Sequence, residues 1–154
     1  MDQPDFAILL SAAYRAMTVR LRDELAGAGL GEMRSSYGFV IRAVDAEEPT
    51  VQRLAELLDV TKQSASKLAD DMERAGYLER RPDPGDRRRV RLVLTERGRA
   101  VRKRALQTSR ALERELTRTL GAGGAAAVRA GLLDIVERHG GLEDVMAQRA
   151  KAPY

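Results

Sequence analysis

The spacing of apolar residues changes twice between Ala65 and Val101, and this restricts the fold more than any other feature of the chain. Ala65, Leu68, Ala69 and Met72 recur at helical steps. After Gly76 the period falls to two. Tyr77-Leu78-Glu79-Arg80 reads as a short strand, and Arg89 to Leu94 as a second, with Val90, Leu92 and Leu94 on one face. Pro82-Asp83-Pro84-Gly85-Asp86 between them favours a turn. Helical spacing then returns with Val101, Ala105, Thr108, Leu112, Leu116 and Leu120. A two-stranded hairpin is marginal on its own in water, so this one must lean on the helices that flank it.

The rest of the chain supplies those helices. Phe6, Leu10, Ala13, Met17, Leu21 and Leu25 predict an amphipathic helix from Asp5 to about Ala26, broken by GAGLG at residues 27–31. A shorter helix is predicted from Met33 to Asp45, with Phe39, Val40, Ala43 and Val44 as core. Pro49-Thr50 punctuates. Val51, Leu54, Ala55 and Leu58 then form a short helical pattern, joined to the Ala65–Met72 pattern through Asp59-Val60-Thr61. Thr61 has the side chain of an N-cap, and Ala75-Gly76 ends the second helix of the pair. Thr95 with Glu96 starts the long helix, and GAGG at residues 121–124 breaks it. Ala125 to His139 is the last main helix, with Val128, Leu132, Ile135 and Val136 on its apolar side, and the tail from Gly140 reads as either a short helical piece or a frayed end. The fold class is mainly α with a small β-hairpin. A winged helix-turn-helix occupies residues 33–98, with helical regions at 1–32 and 99–154.

Charge is placed unevenly on this frame. The chain carries a formal +4. Residues 80–104 hold eleven Lys or Arg against Asp83, Asp86 and Glu96, a local +8 that leaves −4 for the remainder. Six of those arginines crowd the hairpin, where they repel one another. A polyanionic neighbour makes that density tolerable.

Other chemistries are poorly served. There is no cysteine, which removes disulfides and thiolate metal sites, and His139 is the single histidine. We find no phosphate-binding glycine loop, no metal-ligand spacing and no nucleophile paired with a base, so no enzyme activity and no cofactor is expected. The first residues, MDQPDFAILLSAAYRAM, lack the positive charge of a signal peptide, and no uninterrupted apolar run approaches the ~18 residues of a membrane span. A cytoplasmic location without membrane contact is the expectation.

The segment "LAELLDVTKQSASKLADDMERAGYLERRPDPGDRRRVRLVLTERG" resembles the MarR (multiple-antibiotic-resistance regulator) family of bacterial transcription factors. The likeness is strongest from Val51 to Gly98. The family's wing signature, D-x-R followed by L-T, stands here as Asp86, Arg88, Leu94 and Thr95, and the helix-to-wing join "ERAGYLERR" is typical of it. A bare helix-turn-helix pattern is a weak signal. The same pattern followed by this wing at this spacing is a strong one.

The residues themselves fit DNA. Thr61, Lys62, Gln63, Ser64, Ser66 and Lys67 are short or flexible and rich in donors, as a helix set into the major groove requires. Gln63 suits an adenine edge, and the serines and Lys67 suit phosphates. The resemblance makes Arg88 the minor-groove arginine, oriented by Asp86 through a charge-assisted hydrogen bond. Arg87, Arg89 and Arg81 or Arg80 are read as phosphate contacts. A single winged helix reaches few bases, so a homodimer on a near-palindromic duplex is expected. In the family the terminal helices of two subunits interlock, which here implicates Phe6, Leu9, Leu10, Leu112, Leu116, Leu132, Leu133 and Val136. The resemblance also implies a repressor released by a small aromatic or anionic effector, with Tyr14, Met17, Arg20 and Tyr37 as the nearest candidates for its pocket, and Met33 and Phe39 beside them. The competing reading is a winged-helix protein-interaction module that binds no DNA.

Overall fold

The computed structural model describes residues 4–31, 33–34 and 36–138. The expected helix end at His139 and the tail from Gly140 lie outside the described residues.

Among the described residues, four of the five helices begin at a side-chain cap, and each cap satisfies an amide that the first turn leaves without a partner. The Asp5 carboxylate accepts from the Ile8 amide at 2.9 Å and starts α1, Phe6–Gly27. Thr50 accepts from Arg53 N at 3.2 Å and starts α3, Val51–Leu57. Thr61 does the same for Ser64 N at 3.2 Å and starts α4, Lys62–Arg74. Thr95 accepts from Gly98 N at 3.1 Å, donates to the Gly76 carbonyl at 2.6 Å, and starts α5, Glu96–Arg138. The remaining helix, α2, spans Tyr37–Glu47 without a side-chain cap. It starts four residues later than the sequence predicts. The chain before it is held by another element: the Leu30 carbonyl accepts from Tyr77 Oη at 2.8 Å and Arg97 Nη2 at 3.0 Å, and Gly31 takes φ +82°.

The hairpin pairs β1, Leu78–Pro82, with β2, Val90–Leu94, in antiparallel register from Leu78↔Leu94 to Pro82↔Val90. It is closed at its base and tied to the body through β2. Thr95 N donates to the Tyr77 carbonyl at 3.1 Å, and Leu92 N donates to the Pro49 carbonyl at 2.9 Å. Leu92, Val93 and Leu94 are buried, but Val90 is 46% exposed. The sequence places Val90 inward with Leu92 and Leu94. The alternation fails there because the hairpin has already passed beyond the body, with nothing left to cover either face.

The core gathers where α2, α3, α4 and the hairpin root meet, around Val40, Ile41, Leu54, Leu58, Met72, Tyr77, Leu78 and Leu92. From α1 only Leu25 is buried, and from α5 only Gly98, Val101 and Thr108. Beyond those points both helices leave the body. At Gly121 (φ +72°, ψ 168°) the helical path of α5 is broken. Arg129 pairs with Glu113, although sixteen residues of straight helix would separate them by ~24 Å. The chain therefore reverses at Gly121 and returns along its own first arm. GAGG breaks the helix as its composition predicts, but through one residue and without a loop. By length and composition alone α5 holds an 18-residue window apolar enough to cross a membrane, with mean hydropathy 1.3 and no buried residue. The expectation from uninterrupted runs missed it, because Arg129 and Asp134 interrupt the run while the alanines, valines, leucines and isoleucine around them keep the average high. The arm after Gly121 covers only residues 122–138, so a window of that length drawn from it includes the reversal.

Candidate nucleic-acid interface

The helix pair α3–α4 is joined through residues 58–61, where Asp59 takes φ +47° and turns the chain. Ala65, Ala69 and Met72 bury one side of α4 against the core. The opposite side carries Lys62, Gln63, Ser64 and Lys67, all exposed, with Ser66 half-buried at its edge. Ser64 is partly used: its Oγ lies 2.8 Å from Thr61 Oγ1, which tightens the cap. Lys62, Gln63 and Lys67 make no hydrogen bond or ion pair among the described residues, so their donors face solvent.

The wing tip is organised by Asp83. Its Oδ1 accepts from Gly85 N at 2.7 Å and Asp86 N at 3.3 Å, while its own amide donates to the Arg89 carbonyl at 2.9 Å. The sequence identifies Asp83 only as a turn residue. The Asp-Pro-Gly order is the local signal for this role, since an aspartate commonly closes a turn onto amides two and three residues on.

The six arginines of the hairpin divide by their partners. Arg80 points inward to Asp70 and Glu73 of α4. Arg91 lies 3.0 Å from Glu48 at the end of α2 and 3.3 Å from Asp83. Arg81 is exposed and pairs with Glu79 on its own strand. Arg89 Nε is 3.7 Å from Asp86 Oδ2. Arg87 is exposed and its side chain makes no bond among the described residues. The same holds for the guanidinium of Arg88.

Two expectations change here. Asp86 does not orient the Arg88 guanidinium. Its Oδ1 accepts from the Arg88 backbone amide at 3.0 Å, and its other oxygen faces Arg89. The two-residue spacing closes a turn onto the main chain and leaves the Arg88 side chain projecting. Arg80 is not a free phosphate contact, because two carboxylates of α4 already hold it. Arg81 stays at the surface with its charge partly offset by Glu79.

A separate cleft of about 430 Å³ lies between α1, α2 and α5. Tyr14, Met17 and Arg20 line it, together with Met33, Phe39 and Leu112. Tyr37 does not. It is 5% exposed and packs edge-on to Tyr77 with ring centres 5.9 Å apart. Phe39 lies two residues further along α2, about 200° round the helix from Tyr37, so the two rings project to different sides. Arg20 reaches the cleft with its charge already answered. It donates to both oxygens of Glu115, at 3.0 and 2.9 Å, and to Glu24 at 3.2 Å. The Glu115 hydrogen bond raises the Arg20 pKa, and Arg20 in turn lowers that of Glu115. Arg42, which the sequence reading passed over, also lines the cleft, is exposed, and has no partner among the described residues. Its place three residues after Phe39 was the available signal.

The model of the MarR family matches residues 36–89, the segment that holds α2, α3, α4 and the wing tip. No curated protein matches the chain. Among solved structures, the transcriptional regulator Tm0710 from Thermotoga maritima is 26% identical, with 96% of this chain and 98% of that one covered and a TM-score of 0.56. Streptococcus pneumoniae FabT, in a complex with DNA, is 23% identical over 90% of this chain and 96% of its own, with a TM-score of 0.74. Wild-type MarR from E. coli in its apo form is 22% identical over 88% and 99%, with a TM-score of 0.59. The latter two establish the likeness of fold.

Proposed function

We propose that this chain, whose residues 36–89 match the model of the MarR family, is a dimeric DNA-binding transcription regulator of that family. One observation carries the reading. Lys62, Gln63 and Lys67 on α4, and Arg87 and Arg88 on the wing, are exposed and unpartnered among the described residues, while the arginines between the two elements are tied down. Free donors on two rigidly joined elements suit adjacent grooves of a duplex, with α4 in the major groove and the 80–91 wing in the minor. The likeness to FabT, whose structure contains DNA, supports it.

The apolar exposure of the terminal helices supports a second copy. Phe6, Ile8 and Leu9 of α1 are 66, 57 and 49% exposed, and Leu132 and Leu133 are 43 and 46% exposed. Leu10, Leu112, Leu116 and Val136 are only partly covered. So many large apolar side chains on two helices that leave the core call for a partner surface. A two-fold dimer would place two α4 helices on half-sites about one helical turn apart, hence a near-palindrome. The same interface accounts for the apolar window of α5 without a membrane.

The cleft is where an effector would act. Its walls belong to the dimer arms α1 and α5 and to α2 of the winged helix, so a bound molecule touches both. Apolar walls with Arg42 at the edge suit a small aromatic anion. If the molecule favours a spacing of the two α4 helices that no longer fits the duplex, it releases the DNA, and the protein acts as a repressor.

Arg88→Ala is expected to weaken binding to a selected duplex by about 1–3 kcal/mol. Lys62→Ala and Lys67→Ala are each expected to reduce the salt slope of binding by about one. Fluorescence anisotropy across a salt series reads both. Unchanged affinity and slope in all three variants contradicts the reading.

A further inference from the structure

We infer that Arg80 is a positioning residue that sets the angle between the wing and α4, and so decides whether the two elements reach their grooves together. The inference rests on the DNA reading above, but it concerns a residue that touches no nucleic acid. Arg80 sits midway along β1, opposite Leu92. Its Nη2 lies 2.7 Å from Asp70 Oδ1, its Nη1 pairs with Glu73, and its backbone amide donates to Glu73 Oε1 at 3.3 Å. Asp70 and Glu73 stand one turn apart on α4, so a planar guanidinium spanning both resists rotation as well as translation. The Arg80 side chain is 30% exposed, against 72% for Arg89 at the tip. Lower exposure makes the contact less open to screening by salt than an ion pair at the tip.

The geometry turns this contact into a lever. From Arg80 to Pro82 the strand advances roughly 7 Å at ~3.3 Å per residue, and the turn from Asp83 carries the tip further out. A rotation of about 10° at Arg80 would therefore carry the tip sideways by roughly 1 Å or more, enough to stretch a hydrogen bond made there beyond its normal length. Arg91 holds the other strand, through Glu48 at the end of α2. The hairpin is thus fixed from both edges, and Arg80 is the side-chain link that joins it to the helix carrying Lys62, Gln63 and Lys67.

The sign of the effect of removing the acids separates positioning from simple electrostatics. Losing negative charge beside a DNA-binding helix should tighten binding if charge alone matters. If Asp70 and Glu73 hold the wing through Arg80, losing them should weaken it. The test uses the full chain and a duplex that the wild-type protein selects from a random library, with a scrambled duplex of the same length as control. Arg80→Ala and the double variant Asp70→Asn/Glu73→Gln are each expected to lose roughly 5–20-fold in affinity for the selected duplex. The salt slope should stay unchanged, and the scrambled duplex should be bound nearly as before. The Arg80→Ala loss should shrink when Arg88→Ala is already present, because a wing that no longer bonds need not be aimed.

A fall of about one in the slope for Arg80→Ala would make Arg80 a phosphate contact and overturn the inference. So would tighter or unchanged binding by the acid variant, or equal losses on both duplexes. If Arg80→Ala unfolds, the acid variant decides alone, since it leaves the arginine in place. If the wild-type protein selects no duplex, the DNA reading itself fails, and the two failures are not confused.

Discussion

Gly98 has the least room for a side chain of the described glycines. A Cβ added there would lie 2.2 Å from the Tyr77 carbonyl oxygen and 3.2 Å from a Leu94 methyl. The first neighbour is backbone and already accepts from Thr95 N, so it cannot move aside cheaply. Gly98→Ala is therefore expected to destabilise the fold by about 1–3 kcal/mol through overpacking, despite the better helix propensity of alanine. Thermal unfolding measures it, and an unchanged or raised midpoint contradicts the packing seen here. At this scale the sequence was readable where the cause is local. Thr61 and Thr95 are recognisable as caps because the residue that accepts and the amide that donates lie three positions apart. The arginines of the hairpin were not separable in the same way. Arg80 and Arg88 look alike in a basic run, and they differ only because two acids of α4 come within reach of one of them. The same limit placed Tyr37 in the cleft and left Arg42 out.

Between elements, α1 is fastened to α5 by a polar clasp beyond the point where Leu25 and Val101 join the core. Arg20 bridges Glu24 and Glu115, and Thr108 Oγ1 donates to Glu24 at 2.5 Å. The Thr108 hydrogen bond is the main reason the Glu24 carboxyl lies below its ordinary range, and the Arg20 hydrogen bond is the main reason for Glu115. Arg104 adds to the first shift, and Arg118 and Arg114 add to the second. A carboxyl whose pKa is lowered on folding stabilises the fold above its unfolded value and loses that contribution as pH falls through the folded one. Both contributions should therefore be present at neutral pH and fade from about pH 4.5 downward. The Glu24→Gln/Glu115→Gln variant should melt lower than the wild type at pH 7 and lose less on acidification to pH 3. Parallel melting curves against pH would contradict the clasp. Periodicity predicted α1 and the first arm of α5 correctly as helices. It placed Thr108 on the apolar stripe of α5 but could not show that its hydroxyl would be matched by Glu24 of α1, a contact that only the tertiary structure supplies.

For the whole molecule, the order helix, helix, helix-turn-helix, hairpin, long helix was legible because each change of period has a local cause. The reversal at Gly121 was legible as a break but not as a fold-back, since a glycine-rich segment does not carry its own direction. The apolar faces that the reversal leaves uncovered are the basis for proposing a dimer. Leu133→Glu should weaken self-association about tenfold or more, the worth of one buried leucine side chain, as read by sedimentation across a concentration series. A wild-type protein that stays monomeric at all concentrations contradicts the proposal.

The central claim is that α4 and the wing form one surface that grips duplex DNA from adjacent grooves. Selection of duplexes from a random library by the wild-type protein at low ionic strength tests it most directly. The account predicts enrichment of a near-palindrome with half-sites about one helical turn apart, bound with a steep salt dependence. A folded protein that enriches no sequence contradicts it.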